Sequence, residues 1–325
     1  MHSLSRRRLV AAAAASLCAA GLPAFAQDFP SRAISMVVGT AAGSGADVLV
    51  RFIADRLRAL SGQAVVVENK PGAFGNIAVS AVKAAKPDGH TVLFAPSIAF
   101  AAAPYMFKNL PFDPVKDFVP VGTISHMPFF LVVSGQKPAK TVAELTALLK
   151  AKGAKGSYGA PTGISLAAAE MYKSTAGLDT SQIPYKTMQQ ALVDLGNGDI
   201  DFVFVDAATI IGHLGGGKFR VLAVTTEKRS SAAPAIPTML ESGLPGYQPV
   251  SVWFALALPA GTPGVVADKL NGWLNQILAS EEMAKFLRNG GSDVLAGSRR
   301  DMEAFQAREI ANWGRLAKIA KIEPQ

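Results

Sequence analysis

Between Leu49 and Leu60 the apolar side chains Leu49, Phe52, Ile53, Leu57 and Leu60 recur at steps of three and four, which lines one face of an α-helix. A short apolar run, Ile34 to Gly39, precedes it and reads as a strand, and a Gly/Ala/Ser loop joins the two. The alternation continues with a strand over Ala64 to Val67, a helix over "GAFGNIAVSAVKAA" (72–85) and a strand over Thr91 to Ala95. This βαβαβ order predicts a parallel sheet with right-handed crossovers. Two further strands follow, at Val119 to Ile124 and Phe129 to Val133, and a Thr141/Glu144 capping box opens a helix over 141–152. A second α/β run contains a strand at Gly156 to Ala160, a helix from about Gly163, the segment "GLDTSQIPY" (177–185) and a helix over "MQQALVDLGNG" (188–198). Strands at Asp201 to Val205 and Arg220 to Thr225 complete it.

After a proline-rich loop (230–247), Val250 to Leu258 is a long apolar strand. The next helix is predicted to start with Thr262 as N-cap and Pro263 at its first position, with Val266, Leu270, Trp273, Leu274, Ile277 and Leu278 on one face. A final helix covers 299–321. Two α/β halves with a late return strand predict two lobes joined by crossing segments near 119–133 and 249–258.

The N-terminus adds a compartment. Residues 1–26 carry a basic start, an apolar run of small residues and Ala24-Phe25-Ala26 as a cleavage site, which together read as an export signal. Ser5 to Val10, with three arginines, also suits a twin-arginine signal, and a plain secretory signal fits as well. A lipoprotein anchor at Cys18 is disfavoured, because Leu17 before it is not small. Removing 26 of the 325 residues leaves 299, enough for two ordinary domains. The signal takes three of the 32 basic residues and none of the 24 acidic ones, so the mature chain carries only about +5. No basic run is interleaved with aromatics, which argues against nucleic acid as a partner. The one cysteine lies in the signal, so no disulfide or thiol chemistry is expected after cleavage.

The strand–glycine loop–helix at 34–57 is suited to anions, because a helix N-terminus offers unpaired N–H groups and partial positive charge. It is not a phosphate loop, since Gly39 leads to Ser44 and Gly45 with no lysine. A dinucleotide site is the alternative, in an exported NAD(P)-dependent oxidoreductase. Gly43 and Gly45 supply two fingerprint glycines, and Glu68 stands about where a ribose-binding acid would. Val48 in place of the third glycine, and Asp47 beside the pyrophosphate position, weigh against it. A carboxylate ligand, smaller and satisfied by a few donors, suits the loop better.

At this level the chain resembles the Bug-type receptors, the extracytoplasmic solute-binding proteins of tripartite tricarboxylate transporters. The resemblance is carried by "NKPGAFGN" (69–76), "KPDGHTVLF" (86–94), "LPFDPVKDFVPVG" (110–122), "KTVAELTALLKAKGAKGSYG" (140–159), "IPYK" (183–186) and "ESGLPGYQPVSVWFALALPAGTP" (241–263). It implies a two-lobed periplasmic-binding-protein fold (Venus flytrap), each lobe a mostly parallel α/β sheet flanked by helices, with lobe 1 at 27–122 plus 252–325 and lobe 2 at 123–251. It further implies a periplasmic monomer that closes over a small carboxylate, such as a dicarboxylate, aromatic carboxylate or amino acid, and hands it to permease subunits, with no cofactor, metal or catalysis. Two departures fall at the site. Residues 39–47 keep the family's glycine framework and Asp47 but lose its aromatic and both prolines, and 158–170 is about two residues short and lacks its histidine.

The candidate ligand-binding residues are Thr40, Ser44, Asp47, Phe74, Asn76, Ser97, Thr162, Ser165, Tyr185 and Asp206. Most have a plain structural reading beside the functional one. Ser44, Thr162 and Ser165 suit helix caps, Asn76 a turn, and Asp206 a cap or an acceptor for a ligand hydroxyl or ammonium. Ser97 follows the third strand, where open α/β sheets bind ligands. Phe74, in a glycine loop, is expected to be exposed for stacking, and Trp253 to pack in the core or hinge. A hydrolase reading from Gly163-Ile164-Ser165 with Asp206 and His213 lacks the elbow's final glycine and crowds the acid against the histidine. His90, His126 and His213 match no metal spacing, and His90, in "PDGH", reads as a surface turn.

Overall fold

The computed structural model describes residues 29–319 and Pro324. The expected export signal (1–26), with its expected cleavage site, and residues 320–321 of the expected final helix lie outside them. The strands are β1 (Ile34–Val38), β2 (Val65–Asn69), β3 (Thr91–Pro96), β4 (Phe118–Ser134), β5 (Ser157–Gly159), β6 (Ser181–Ile183), β7 (Phe202–Asp206), β8 (Phe219–Val224), β9 (Ser251–Pro259) and β10 (Asp293–Val294). The principal helices are α1 (Gly45–Ser61), α2 (Asn76–Lys83), α3 (Val142–Lys152), α4 (Gly163–Ala176), α5 (Met188–Asn197), α6 (Gly264–Leu278), α7 (Glu281–Asn289) and α8 (Arg299–Ile319).

Local chemistry sets most helix ends. Ser44, Thr141, Thr162, Thr187 and Ser280 each accept a first-turn N–H, and Gly62, Gly177 and Gly198 close helices in the left-handed region that glycine enters without penalty. Around α3 the reciprocal bond differs slightly from a standard box, with the Glu144 carboxylate accepting the Lys140 N–H. The expected cap at Thr262 shifts by one residue. Pro263 is the cap residue and α6 begins at Gly264, because the Thr262 hydroxyl donates to the Pro259 carbonyl instead.

The first lobe's sheet runs β2-β1-β3-β9-β4, with β10 on β4, and the second's runs β6-β5-β7-β4, with β8 on β4. β2, β1 and β3 are parallel, as are β6, β5 and β7, while β9 runs antiparallel to β3 and β4. The two strands expected over 119–133 are one. β4 pairs with β9 from Phe118 to Pro128 and then with β7 and β8 from Phe129 onward. Pro120 sits at a register shift and Pro128 at the changeover between partners, where a strand tolerates a residue without an N–H. Thr225 ties the changeover together. Its hydroxyl accepts the Phe129 N–H at 3.0 Å and donates to the Val250 carbonyl at 2.6 Å, linking both crossing segments.

An apolar core on each sheet face holds the lobes. Val37, Leu93, Ala95, Leu131, Phe204 and Trp253 belong to one cluster that spans both sheets. Trp253 is fully buried, stacks on Phe100 and donates Nε1–H to Glu309, whose pKa is raised by its own burial. α7 is not among the predicted helices although its signal is local, a Ser280 cap, Glu281 and Glu282 in the first turn and Met283 and Leu287 facing the core, whereas β10 is two residues pinned by pairing to Ser125 and His126. His90 is not a surface turn residue: it is 6 % exposed, packs edge-on against Phe29 at 5.1 Å and accepts the Ser31 N–H through Nε2. A turn motif did not reveal that the N-terminal segment folds back over it.

Candidate ligand site at the strand ends

β1, β2 and β3 are parallel, so their C-terminal ends deliver three loops to one edge of the first lobe. These loops are residues 39–44, 70–75 and 97–102. The first two touch: a Cβ built on Gly39 would lie 2.6 Å from Gly75 Cα, so only glycine permits the approach, and Gly75 itself has φ +93°. These are the segments that feed the N-termini of α1 and α2, bringing two helix starts side by side.

The first loop is held by a carboxylate. Asp47 is 3 % exposed and accepts the Gly43 N–H at 2.8 Å, Arg51 Nε–H at 2.9 Å and Asn69 Nδ2–H at 2.8 Å. The Arg51 bond first, then those from Gly43 and Asn69, outweigh burial and lower its pKa to about 2. Asn69 also donates to the Thr40 carbonyl and accepts from Arg51. Ser44 caps α1 by accepting the Asp47 N–H, and its own proton goes to Thr40 Oγ1 at 3.1 Å. Asp47 is therefore spent on the loop's shape, and its charge is matched by Arg51. Sequence inspection missed Asn69 and Arg51. Asn69 ends β2, the position that marks ligand-side residues in parallel sheets, and Arg51 lies four residues after Asp47 on the same helix.

Beside this loop is a cavity of about 300 Å³ lined by Gly39, Thr40, Phe74, Pro96, Ile98 and parts of α2. Phe74 is 66 % exposed with φ +57°, and its ring stands 5.6 Å from that of Phe107. Asn76 is the first residue of α2 and half-buried. Ser97, 2 % exposed, precedes the turn at Ile98–Ala102 without capping it by a side-chain bond. Glu68 accepts the Ser35 hydroxyl and pairs with Lys70, which together lower its pKa.

In the second lobe, Thr162 is exposed and caps α4, and the fully buried Ser165 donates to the Phe204 carbonyl at 2.7 Å. Asp206 ends β7 and accepts both the N–H and the hydroxyl of Thr209, capping the one-turn helix Ala207–Ile210. Tyr185 donates to Asp194 at 2.7 Å; burial first, then that carboxylate, pushes its pKa up to about 12. Along β4 the two lobes' strand ends are close. Pro96 and Ser125 share the partner Phe254, and Asp206 pairs with Phe129, four residues or roughly 13 Å further on. Thr40, Ser44, Asp47 and Phe74 thus form one group, Ser97 adjoins it between two cavity-lining residues, and Thr162, Ser165 and Asp206 cluster at the facing lobe's strand ends. Tyr185 is engaged with α5 instead.

Comparison with known proteins places this geometry. Residues 49–322 match the family described as "Tripartite tricarboxylate transporter family receptor". A UPF0065 protein of Bordetella bronchiseptica is 36 % identical over 310 residues, covering 95 % of this chain and 92 % of that one. Among solved structures, an R. palustris protein with adipate is 33 % identical with a TM-score of 0.73, covering 92 % of this chain and all of that one. MatC from Rhodopseudomonas palustris with bound malate is 28 % identical with a TM-score of 0.67, covering 89 % and 99 %. The expected two-lobed binding-protein fold is the one found, and the chain belongs to the tripartite tricarboxylate transporter family of receptors.

Proposed function

We propose that this chain is an exported receptor, cleaved near Ala26, that captures a small carboxylate between its lobes and delivers it to permease subunits of a tripartite transporter. The observation that carries the reading is the meeting of the α1 and α2 entry loops at Gly39 and Gly75 beside the cavity. Two helix N-termini lie together there, with first-turn N–H groups at Gly45 and Ala46 that have no partner within α1. Such a pair favours a compact anion. Relatives with adipate and malate agree with a carboxylate.

In this reading Thr40 and the 39–46 backbone hold the carboxylate, Ser44 and Asp47 set the loop, and Phe74, Asn76 and Ser97 border the ligand. Thr162 and Asp206 shape the facing wall, Ser165 fixes the helix behind it to the sheet, and Tyr185, held on α5, stands outside it. The lobes are 27–122 with 252–325, and 123–251, and the crossing strands flex between them as a clamp. The receptor works as a monomer without catalysis, cofactor or metal.

The test is a thermal-shift panel on residues 27–325 with dicarboxylates, aromatic carboxylates, amino acids and NAD(P). A bound acid at about 100 times its Kd should stabilise the fold by about 2.7 kcal/mol, a shift of several degrees. A shift with NAD(P) and with no acid overturns the proposal.

A further inference from the structure

The cavity beside the glycine loops has a composition that selects among carboxylates. Among the described residues its walls are Gly39, Gly72 and Gly75, the apolar side chains of β3, α2 and the turn after β3, and the ring of Phe74, with Thr40 as the one polar side chain and no charged one. Arg51, the cation of the neighbouring network, is committed to Asp47 and Asn69 at 2.9 Å each.

The cavity opens to solvent along one side, so a dicarboxylate seated here would lay its second charge against alanine, valine and isoleucine with no counterion to offset the partial loss of water, which is unfavourable. An apolar ring meets no such cost. A dry cavity of roughly 150 Å³ takes up benzene, and this one, at about 300 Å³, has room for a ring with a carboxylate at its Thr40 end. Phe74 fits the same occupant. Ala73 and Phe74 both adopt positive φ, +46° and +57°, a backbone that L-residues rarely enter, and the result is a phenyl ring held largely in solvent at the cavity's edge. Phe107 stands 5.6 Å away with its ring tilted by 51°, so the exposed phenyl already keeps aromatic company of the kind a ligand ring would extend.

We propose that the ligand is an aromatic monocarboxylate, with its carboxylate on the 39–46 loop and Thr40 and its ring in the cavity against Phe74. This rests on the carboxylate-receptor reading above and narrows it.

The experiment is calorimetric titration of residues 27–325 with benzoate, cyclohexanecarboxylate, malate and adipate, repeated on Phe74→Ala. Benzoate should bind at least tenfold more tightly than malate or adipate. Phe74→Ala should weaken benzoate by roughly 2- to 12-fold, the value of one aromatic pair, and change cyclohexanecarboxylate less. Malate or adipate binding as tightly as benzoate overturns the aromatic class and leaves the receptor reading standing. Tight benzoate binding that Phe74→Ala does not touch overturns the placement of the ring. Binding by none of the four acids, together with a silent thermal panel, overturns both.

Discussion

The entries to α1 and α4 look alike as sequence, each a strand, a short turn and a hydroxyl cap followed by a glycine at the first helical position, yet they are built differently. At α1 the cap is embedded in a network: Ser44 gives its proton to Thr40, and Asp47 gathers Gly43, Arg51 and Asn69 around the turn. At α4 the cap Thr162 is exposed, and the hydroxyl three residues on, Ser165, is buried and bonded to the Phe204 carbonyl of β7. One entry spends its polar groups on fixing a loop beside a cavity; the other spends its buried hydroxyl on fixing helix to sheet. A Ser/Thr cap after a strand therefore does not by itself mark a ligand contact, and its neighbours across the sheet decide which role it takes.

The sharpest way to break this contrast is Asp47→Ala. It removes the acceptor of three donors, leaving the Gly43 N–H and Asn69 amide short of partners, while Arg51, half-exposed, returns to water. Gly43 is exposed and Asn69 half-buried, so each lost bond costs about 0.5 to 1.5 kcal/mol; the fold should lose roughly 1 to 3 kcal/mol by denaturant titration, and carboxylate affinity should fall with it. A loss below about 0.5 kcal/mol would mean the network is ornamental. The same residue gives a pH signature. Its folded pKa, about 2, lies below the ordinary 3.8, so its stabilisation is fully present above about pH 4 and is lost as pH falls towards 2. Acid titration of Asp47→Asn should lack that limb.

Next in size is Gly39→Ala. The added methyl forces the two entry loops apart, since no space exists in front of Gly75. The expected cost is about one hydrogen bond to a charged ligand, roughly 10- to 150-fold in affinity, in a protein that still melts cooperatively. Unchanged affinity would place the anion elsewhere.

The smallest and most discriminating pair is Ser165→Ala against Ser44→Ala. Ser165→Ala should destabilise by about 1 kcal/mol through the orphaned Phe204 carbonyl and leave affinity alone. Ser44→Ala should cost a similar cap energy, about 1 kcal/mol, and also weaken binding by a few-fold because Thr40 loses its donor. Equal affinities for the two variants would erase the distinction between the entries.

Much of this was legible in the chain. The helical period at 49–60, the βαβαβ order and the caps Ser44, Thr141 and Thr162 are local signals, and the structure carries them out locally. What was not legible depends on distant partners. β4 reads as two strands until β9, β7 and β8 are seen to share it, and His90 reads as a turn until Phe29 covers it. The Asp47–Asn69 bond joins residues 22 apart on neighbouring elements, and the Gly39–Gly75 approach joins residues 36 apart. Periodicity carries no information about either, because each arises from strand order rather than from spacing along the chain.

The central claim is that the anion is held by the entry loops of the first lobe. The most direct test is a spectrum of residues 27–325 labelled with ¹⁵N-glycine, recorded with and without saturating benzoate and, separately, malate. The account predicts that the amides of Gly39, Gly43, Gly45, Gly72 and Gly75 move while those of Gly243 and Gly261, in turns remote from the cavity lining, stay in place. Movement confined to glycines outside residues 39–75 would contradict it.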